Sequence, residues 1–192
     1  MRATGPGQPA QLLLDITNVF TEMGIPYAVV GAFAASFHGI PRSTNDADAK
    51  VWLKESGKTE KDLVSRLAGM GYRVTLNLGD IDDPISGVIV IEDEHENRLD
   101  LLLGVRGMDN DAAKRSVVAS LMGASLCIIA AEDLIAMKIF AGGVQDLEDV
   151  RGILQVSGKH LSLTLLRGLA RRYGVEVAQK LDDILLETPP SQ

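Results

Sequence analysis

The chain has 192 residues, of which 46% are apolar and 23% charged, a balance typical of a globular fold. Its formal net charge of −7 argues against a broad basic surface for nucleic acid. No apolar run reaches the roughly 18–20 residues of a membrane span, and the single cysteine, Cys127, excludes an internal disulfide. We therefore expect a cytoplasmic protein with no membrane partner.

The predicted elements change in character along the chain. A flexible leader, rich in glycine and proline, is expected over residues 1–10. Hydrophobic periodicity then predicts helices over 11–23, 32–37 and 58–70, with strands over 27–30, 47–53, 72–78, 88–91 and 99–103. A short extended run over 125–129 precedes predicted helices over 132–140, 147–154, 161–172 and 175–186. Strands thus fill the first half and helices the second, which predicts an α+β fold.

Two aspartates stand two positions apart in the segment NDADAKV, residues 45–51. Alternate side chains of a strand share a face, so Asp46, Asp48 and Lys50 are expected on one face and small apolar residues on the other. Like charges this close are unfavourable unless a positive charge neutralises them. Hard oxygen ligands favour Mg²⁺ or Mn²⁺. The alternative is that Asp46 and Asp48 cap a strand entrance in a solvated turn.

A third aspartate favours the metal-site interpretation. Asp100 is the only acid in the apolar run RLDLLL, residues 98–103. Aspartate is disfavoured in strands and costly to bury without a partner. If Asp100 converges on Asp46 and Asp48 from a neighbouring strand, the three form a metal site that can also accept a proton from an attacking hydroxyl.

The residues around this acid pair are candidates for phosphate binding. Gly31 ends a predicted strand just before a helix, where glycine permits close approach of a phosphate and helix amides favour anions. Arg42 and Thr44 lie between Gly31 and the acid pair. Both can contact phosphates, and both are also ordinary turn residues.

A lysine stands in a helix that is apolar almost all round. The segment AEDLIAMKIFA, residues 131–141, is expected to be buried, so the ammonium group of Lys138 must reach solvent or meet an anion. A structural pair with Asp146 and a contact to ligand phosphate both satisfy this requirement, and both can hold together. In the next predicted helix, Asp146 falls within the apolar stripe of Val150, Ile153 and Leu154, and Asp149 lies at its edge.

The remaining candidates are weaker. His38, His95 and His160 lack metal-ligand spacing and are interpreted as core or surface histidines. A cluster of arginines is either a local RNA-binding patch or a solvated helix face; it comprises Arg167, Arg171 and Arg172. No P-loop, dinucleotide-binding glycine motif or zinc cluster occurs in the sequence.

Together these motifs resemble the minimal nucleotidyltransferase superfamily, which has a polymerase-beta-like fold. The resemblance covers residues 10–186 and is carried by Gly31, the Asp46/Asp48 pair, Asp100 and the pattern of Lys138 with Asp146 and Asp149. The phrase HGIPRSTNDAD, residues 38–48, is similar to the AbiEii/AbiGii branch, whose members are toxins of bacterial toxin–antitoxin pairs.

The resemblance implies a nucleotidyltransferase palm, a mixed β-sheet flanked by helices, over residues 11–124 and a C-terminal helical region over 125–187. It implies that Asp46, Asp48 and Asp100 hold Mg²⁺ or Mn²⁺ and carry catalysis. It also implies that Gly31 and Ala32 hold the triphosphate, with Lys138 assisting. Ala32 departs from the serine that is common there, which leaves only backbone contacts.

The implied activity is transfer of a nucleoside monophosphate from an NTP donor to a hydroxyl acceptor. The acceptor stays open between a tRNA end, a protein side chain and a small molecule such as an antibiotic, and a cognate antitoxin is a possible partner. The alternative is a non-catalytic relative that binds a nucleotide or a partner protein. Retention of all three acids argues against it. Ala32 argues weakly for it, and so does Ala49, which stands where many members carry an acid or a large aliphatic residue.

Overall fold

The computed structural model of the chain describes residues 2–80 and 82–191. These residues fold as two compact units, each built from separate stretches of chain. The first unit combines the described residues up to Val30 with Ser43–Arg106 and Val117–Ile128. The second combines Gly31–Arg42 and Gly107–Ser116 with the chain from Ile129 onwards.

The first unit contains a mixed β-sheet. Its strands are β1 (Tyr27–Val29), β2 (Asp46–Val51), β3 (Arg73–Leu78), β4 (Ile85–Glu92), β5 (Arg98–Val105), β6 (Val117–Leu121) and β7 (Ala124–Ile128). They lie in the order β3-β4-β5-β2-β1-β7-β6. The pairs β2–β5 and β1–β7 are parallel, and the other neighbouring strands are antiparallel. Together with the helices of both units, this sheet confirms the predicted α+β fold class.

The first unit also contains helices. They are α1 (Pro9–Met23), α3 (Leu53–Ser56) and α4 (Glu60–Gly69). The side chains of Ala47 and Ala49 in β2 are fully buried, and α1 packs against β2 and β5. Helix α4 begins at a reciprocal pair of hydrogen bonds between Thr59 and Asp62, which satisfies backbone amides that the first turn leaves free.

The second unit is helical. Its helices are α2 (Gly31–His38), α5 (Ala112–Arg115), α6 (Ala131–Ala141), α7 (Val144–Ser157), α8 (Leu163–Tyr173) and α9 (Val175–Glu187), with a 3₁₀ turn at Gly158–His160. Helix α6 packs against α2, α7, α8 and α9. This central place explains why α6 is apolar almost all round. No described helix is both long and apolar enough to cross a membrane.

The structure contains elements that the sequence did not predict, among them the short helices α3 and α5 and the strand β6. The sequence analysis missed β6, which pairs with β7 through a two-residue turn at Met122 and Gly123. Both turn residues have positive φ, 51° and 82°, the geometry that two-residue hairpins need, but Met122 is not a residue that signals such a turn. The predicted boundary at 124/125 cuts this hairpin, since β7 begins at Ala124 and belongs to the sheet.

The segment before α1 is hydrogen-bonded rather than loose. Helix α1 begins at Pro9, inside the predicted leader. The side chain of Asn97, in the turn between β4 and β5, donates to the carbonyl of Gly5 at 2.9 Å and accepts from the amide of Gln8 at 2.6 Å. Arg2 donates to the carbonyl of Met70 at 2.7 Å. The side chain of Asn97 and the backbone carbonyl of Met70 therefore hold the described part of this segment.

Candidate active site

The three predicted metal ligands lie on two neighbouring parallel strands of the first unit. Asp46 and Asp48 are in β2, and Asp100 is in β5. In the register between these strands, Asp48 pairs with Asp100, whereas Asp46 pairs with Arg98. Paired residues of adjacent strands lie roughly 5 Å apart and point to the same face. The fold therefore places Asp48 beside Asp100, with Asp46 on the same face one step along β2.

Two neighbouring side chains hold these carboxylates in place. The hydroxyl of Thr44 donates to Oδ1 of Asp46 at 2.8 Å and to the carbonyl of the same residue at 3.1 Å. Arg98 donates from Nε to Oδ1 of Asp100 and from Nη2 to Oδ2, both at 2.8 Å. This bidentate pair was not predicted, although Arg98 stands two positions before Asp100 and so shares its strand face.

Asp46, Asp48 and Asp100 place three carboxylates on one face of two adjacent strands. Their positions and their oxygen donors fit a hard divalent cation. The side chains, however, adopt an ion-paired arrangement. Arg98 engages both oxygens of Asp100, and Thr44 engages Oδ1 of Asp46. Within residues 2–80 and 82–191, no three His, Cys, Asp or Glu side chains form a group that could hold a metal ion. The assignment of Asp46, Asp48 and Asp100 as ligands stays a prediction.

Lys50 follows the acid pair on the same face of β2, but it is only 5% exposed. Its Nζ donates to the carbonyls of Val51 and Leu103 and lies 4.7 Å from the centre of the Trp52 ring. Burial lowers the pKa of Lys50 from 10.5 to about 8. The contacts with carbonyl oxygens and an aromatic ring therefore offset only part of the free-energy cost of burying the charged ammonium group.

The predicted phosphate-binding cations lie in the second unit, where they share one buried acid. Nζ of Lys138 lies 2.8 Å from Oδ1 of Asp146 and 2.7 Å from Oδ2 of Asp149. Arg42 donates to both oxygens of Asp149, at 3.0 and 3.2 Å. The predicted pair of Lys138 with Asp146 is present, and Asp149 joins Lys138 to Arg42. We call these four residues the Asp149 cluster.

The charge state of Asp149 follows from this arrangement. Burial by itself raises the pKa of this carboxyl, but hydrogen bonds from Arg42 and Lys138 outweigh it and lower the pKa below 3.8. Asp149 is thus an ionised acid between two cations. Helical spacing hints at this role, since Asp149 lies one helical turn after Asp146 and borders the same stripe.

The predicted triphosphate cradle lies at the start of α2. Gly31 begins this helix with φ of 60°, a backbone conformation that glycine adopts without steric cost. Ala32 follows it and is 5% exposed. The loop after α2 is anchored by Ser36, whose hydroxyl accepts from the amide of Arg42 at 3.2 Å. Contact between these groups and phosphate stays a prediction.

The weaker candidates have ordinary structural surroundings. His38 is buried, its Nε2 lies 2.7 Å from the carbonyl of Ile129, and burial lowers the pKa of its imidazole. Arg167 pairs with Asp182 at 3.0 Å, and Arg172 donates to the carbonyl of Gly107 at 3.2 Å. Arg167 is therefore locally neutralised, which favours the solvated-face interpretation of the arginine cluster.

Comparison with solved structures identifies the architecture. The antibiotic-resistance factor ANT(2'')-Ia, solved in solution, matches 92% of this chain and 93% of its own at 14% identity, with a TM-score of 0.57. The chain has a nucleotidyltransferase fold. The crystal structure of ANT(2'')-Ia in complex with adenylyl-2''-tobramycin matches 84% of this chain and 94% of its own at 16% identity, with a TM-score of 0.54.

A third solved structure has the same fold. An antigenic nucleotidyltransferase-like protein from Paracoccidioides brasiliensis matches 97% of this chain and 92% of its own at 13% identity, with a TM-score of 0.56. By sequence, neither a protein-family model nor a curated protein matches the chain. The likeness thus lies in the fold, and the predicted AbiEii/AbiGii branch stays a prediction.

Proposed function

We propose that this protein is a metal-dependent nucleotidyltransferase that transfers a nucleoside monophosphate from an NTP to a hydroxyl acceptor. The observation that carries the proposal is the pairing of Asp48 with Asp100 in adjacent parallel strands of a nucleotidyltransferase fold. Asp46 shares their face and completes a set of three carboxylates. We propose Mg²⁺ or Mn²⁺ as the cofactor, held by Asp46, Asp48 and Asp100.

In this reaction the acceptor oxygen forms a bond to the α-phosphorus of the NTP. The bond from that phosphorus to the bridging oxygen breaks, and pyrophosphate leaves with the electron pair. Asp100 accepts the proton of the acceptor hydroxyl, directly or through water. When bound, the metal supplies positive charge that stabilises the phosphates in the transition state. Asp46 and Asp48 hold that charge in place, and Thr44 orients Asp46.

The proposed triphosphate contacts in the second unit are the backbone at Gly31 and Ala32 and the cations Arg42 and Lys138. Helix N-terminal amides favour anions, and α2 begins at Gly31. The side chain of Arg42 is 31% exposed, so its guanidinium can reach a ligand while it stays paired with Asp149. Lys138 is 5% exposed and acts mainly by setting the charge of the cluster. Asp146 orients Lys138.

The first acceptor to test is a small cationic molecule with several hydroxyl groups. The net charge of −7 favours such a partner over RNA. The solved neighbour ANT(2'')-Ia forms a complex with adenylyl-2''-tobramycin, so ATP is the first donor to test and an aminoglycoside the first acceptor. A tRNA end and a protein side chain remain alternative acceptors, as does a cytoplasmic role as the toxin of a toxin–antitoxin pair. Toxicity on expression, relieved by a neighbouring gene product, would support the toxin role.

The test has two stages. Calorimetric titration with each of the four NTPs, with and without Mg²⁺, identifies the donor, and pyrophosphate release is then followed with each class of acceptor. Asp46→Asn, Asp48→Asn and Asp100→Asn are expected to abolish transfer, whereas Asp82→Asn, an exposed carboxylate of the same unit, serves as the matched control. Near-normal turnover in Asp46→Asn or Asp100→Asn would sink the assignment.

A non-catalytic relative is the second candidate, and the engagement of Asp100 by Arg98 favours it. Such a protein binds a nucleotide or a partner without releasing pyrophosphate. NTP binding that does not depend on Mg²⁺ and survives Asp48→Asn would support this candidate over the transferase.

A further inference from the structure

Arg98 lies among the acids of the candidate metal site. It pairs with Asp46 in the parallel register of β2 and β5, and with Glu92 in the antiparallel register of β4 and β5. Its own guanidinium chelates Asp100, two residues along the same strand face. Asp100, Glu92 and Asp46 together raise the pKa of Arg98, with the Asp100 hydrogen bonds as the largest cause. Three carboxylates thus act electrostatically on one cation, and Asp100 contacts it directly.

The bidentate pair and a divalent ion use the same atoms. Arg98 donates one hydrogen bond to each carboxylate oxygen of Asp100. A metal ligated by Asp100 needs at least one of those oxygens. Charge-assisted bidentate pairs are stronger and more directional than ordinary hydrogen bonds. The side chain of Asp100 is only 21% exposed, which strengthens the pair further. A metal that binds Asp100 must therefore compete with Arg98.

We propose that Arg98 is an internal counter-ion that occupies Asp100 in the metal-free protein and releases it when the divalent cation binds. This inference rests on the proposed function and assigns to Arg98 a positioning and regulatory role in the same site. The positive charge of Arg98 offsets the repulsion between the neighbouring carboxylates while no metal is bound. The pair also weakens binding of the free metal ion, because the ion must displace Arg98 from Asp100.

Glu92 provides the alternative partner for the released guanidinium. Glu92 lies directly across from Arg98 in the β4–β5 register. Its carboxylate is 3.4 Å from Arg73, and the Glu92 side chain is 30% exposed, so it is neither saturated nor deeply buried. The side chain of Arg98 is 47% exposed, so the surrounding protein does not enclose it. Arg98 therefore moves between Asp100 and Glu92 without losing a carboxylate partner.

The test measures Mn²⁺ binding by calorimetry and by the electron paramagnetic resonance signal of free Mn²⁺, with the full chain and without NTP. Arg98→Gln is expected to bind Mn²⁺ roughly tenfold more tightly than the wild type, because the competing pair is gone. Arg98→Lys keeps the charge but cannot chelate both oxygens, and it is expected to tighten binding as well. Glu92→Gln removes the alternative partner and is expected to weaken binding.

Controls separate chelation from a general effect of charge. Arg66→Gln removes an exposed arginine of the same unit that pairs with Glu22 at 2.8 Å, and it should leave Mn²⁺ affinity unchanged. In an Asp100→Asn background, Arg98→Gln should give no gain. If Arg98→Lys binds like the wild type while Arg98→Gln binds more tightly, the effect is long-range charge and the proposal is overturned.

The remaining outcomes distinguish this proposal from the proposed function. If Mn²⁺ binds and is lost in Asp48→Asn, but the Arg98 variants match the wild type, the counter-ion role is wrong and the metal site stands. If neither the wild type nor any Arg98 variant binds Mn²⁺, the carboxylates are not a metal site and both proposals fail. Thermal unfolding of each variant without metal verifies that affinities are compared between folded proteins.

Discussion

The ammonium group of Lys138 lies 2.7 Å from Oδ2 of Asp149, and the two side chains are only 5% and 4% exposed. Arg42 and Asp146, each 31% exposed, complete the cluster on either side of this buried pair. Two cations thus face two carboxylates. A buried charge is tolerated only when it is paired and hydrogen-bonded, so the cluster should behave as one unit in stability measurements.

Asp149→Asn is expected to destabilise the protein by about 3 kcal/mol, since it leaves Lys138 and Arg42 without their shared buried anion. Asp146→Asn should cost about 1 kcal/mol or less, because Asp146 is partly exposed and Lys138 keeps Asp149. Urea unfolding of the two variants checks this order. Equal losses would mean that burial does not decide the strength of these pairs.

The carboxyl of Asp149 also predicts that the stability of the protein falls at acid pH. The folded-state pKa of Asp149 lies below the 3.8 of the unfolded chain, so its contribution is fully present above about pH 5 and is lost as pH falls through the folded pKa. The difference in unfolding free energy between the wild type and Asp149→Asn should therefore be constant near neutral pH and shrink in acid. A difference that stays the same at about pH 2.5 would contradict it.

Lys50 predicts a further dependence of stability on pH, in the alkaline range. Between its folded pKa of about 8 and its usual 10.5, the unfolded chain binds a proton that the folded chain does not. The folded state therefore gains stability as pH rises through this window, by at most about 3 kcal/mol. Lys50→Met lacks this titrating group. In urea unfolding, the unfolding free energy of the wild type should therefore rise relative to that of Lys50→Met between about pH 7 and about pH 9.5. No relative gain would mean that Lys50 is solvated in the folded protein.

The sequence predicts correctly those features that depend on a single strand, such as which residues share a face. Alternation along residues 46–51 predicted the split between the acidic face and the fully buried alanines, and the structure has both. Asp100 was singled out because an acid inside an apolar run needs a partner. Such arguments depend on the two-residue period of a strand, which is independent of the rest of the fold.

What the sequence could not predict are relationships between strands and between distant segments. The pairing of Asp48 with Asp100 depends on the register of β2 against β5, which the packing of the whole sheet decides. The partner of Asp149 comes from Arg42, 107 positions away. The partner of Asp100 is only two residues away, but a guanidinium can turn to any nearby acid. Its choice of Asp100 over Glu92 is therefore invisible in the sequence.

Thr44 offers a test of how the acid pair is positioned. Its hydroxyl is 2.8 Å from Oδ1 of Asp46 and stabilises one orientation of that carboxylate. Thr44→Val keeps the shape but removes the donor, so we expect Mn²⁺ affinity to fall by roughly three- to tenfold. Thr44→Ser should restore it. If the serine variant is as weak as the valine variant, the methyl group rather than the hydroxyl is responsible.

Asp100→Asn separates stability from the proposed chemistry. The variant leaves Arg98 without its carboxylate, but Arg98 is 47% exposed and can be solvated or turn to Glu92. We therefore expect a loss in unfolding free energy of about 1 kcal/mol or less. Transfer should nevertheless fall by roughly a thousandfold, because an amide neither accepts the acceptor proton nor ligates the metal well. Unfolding in urea and pyrophosphate release, measured on one preparation, test both expectations. A large loss of stability would assign Asp100 a structural role, since a residue that acts only on the reaction leaves the fold intact.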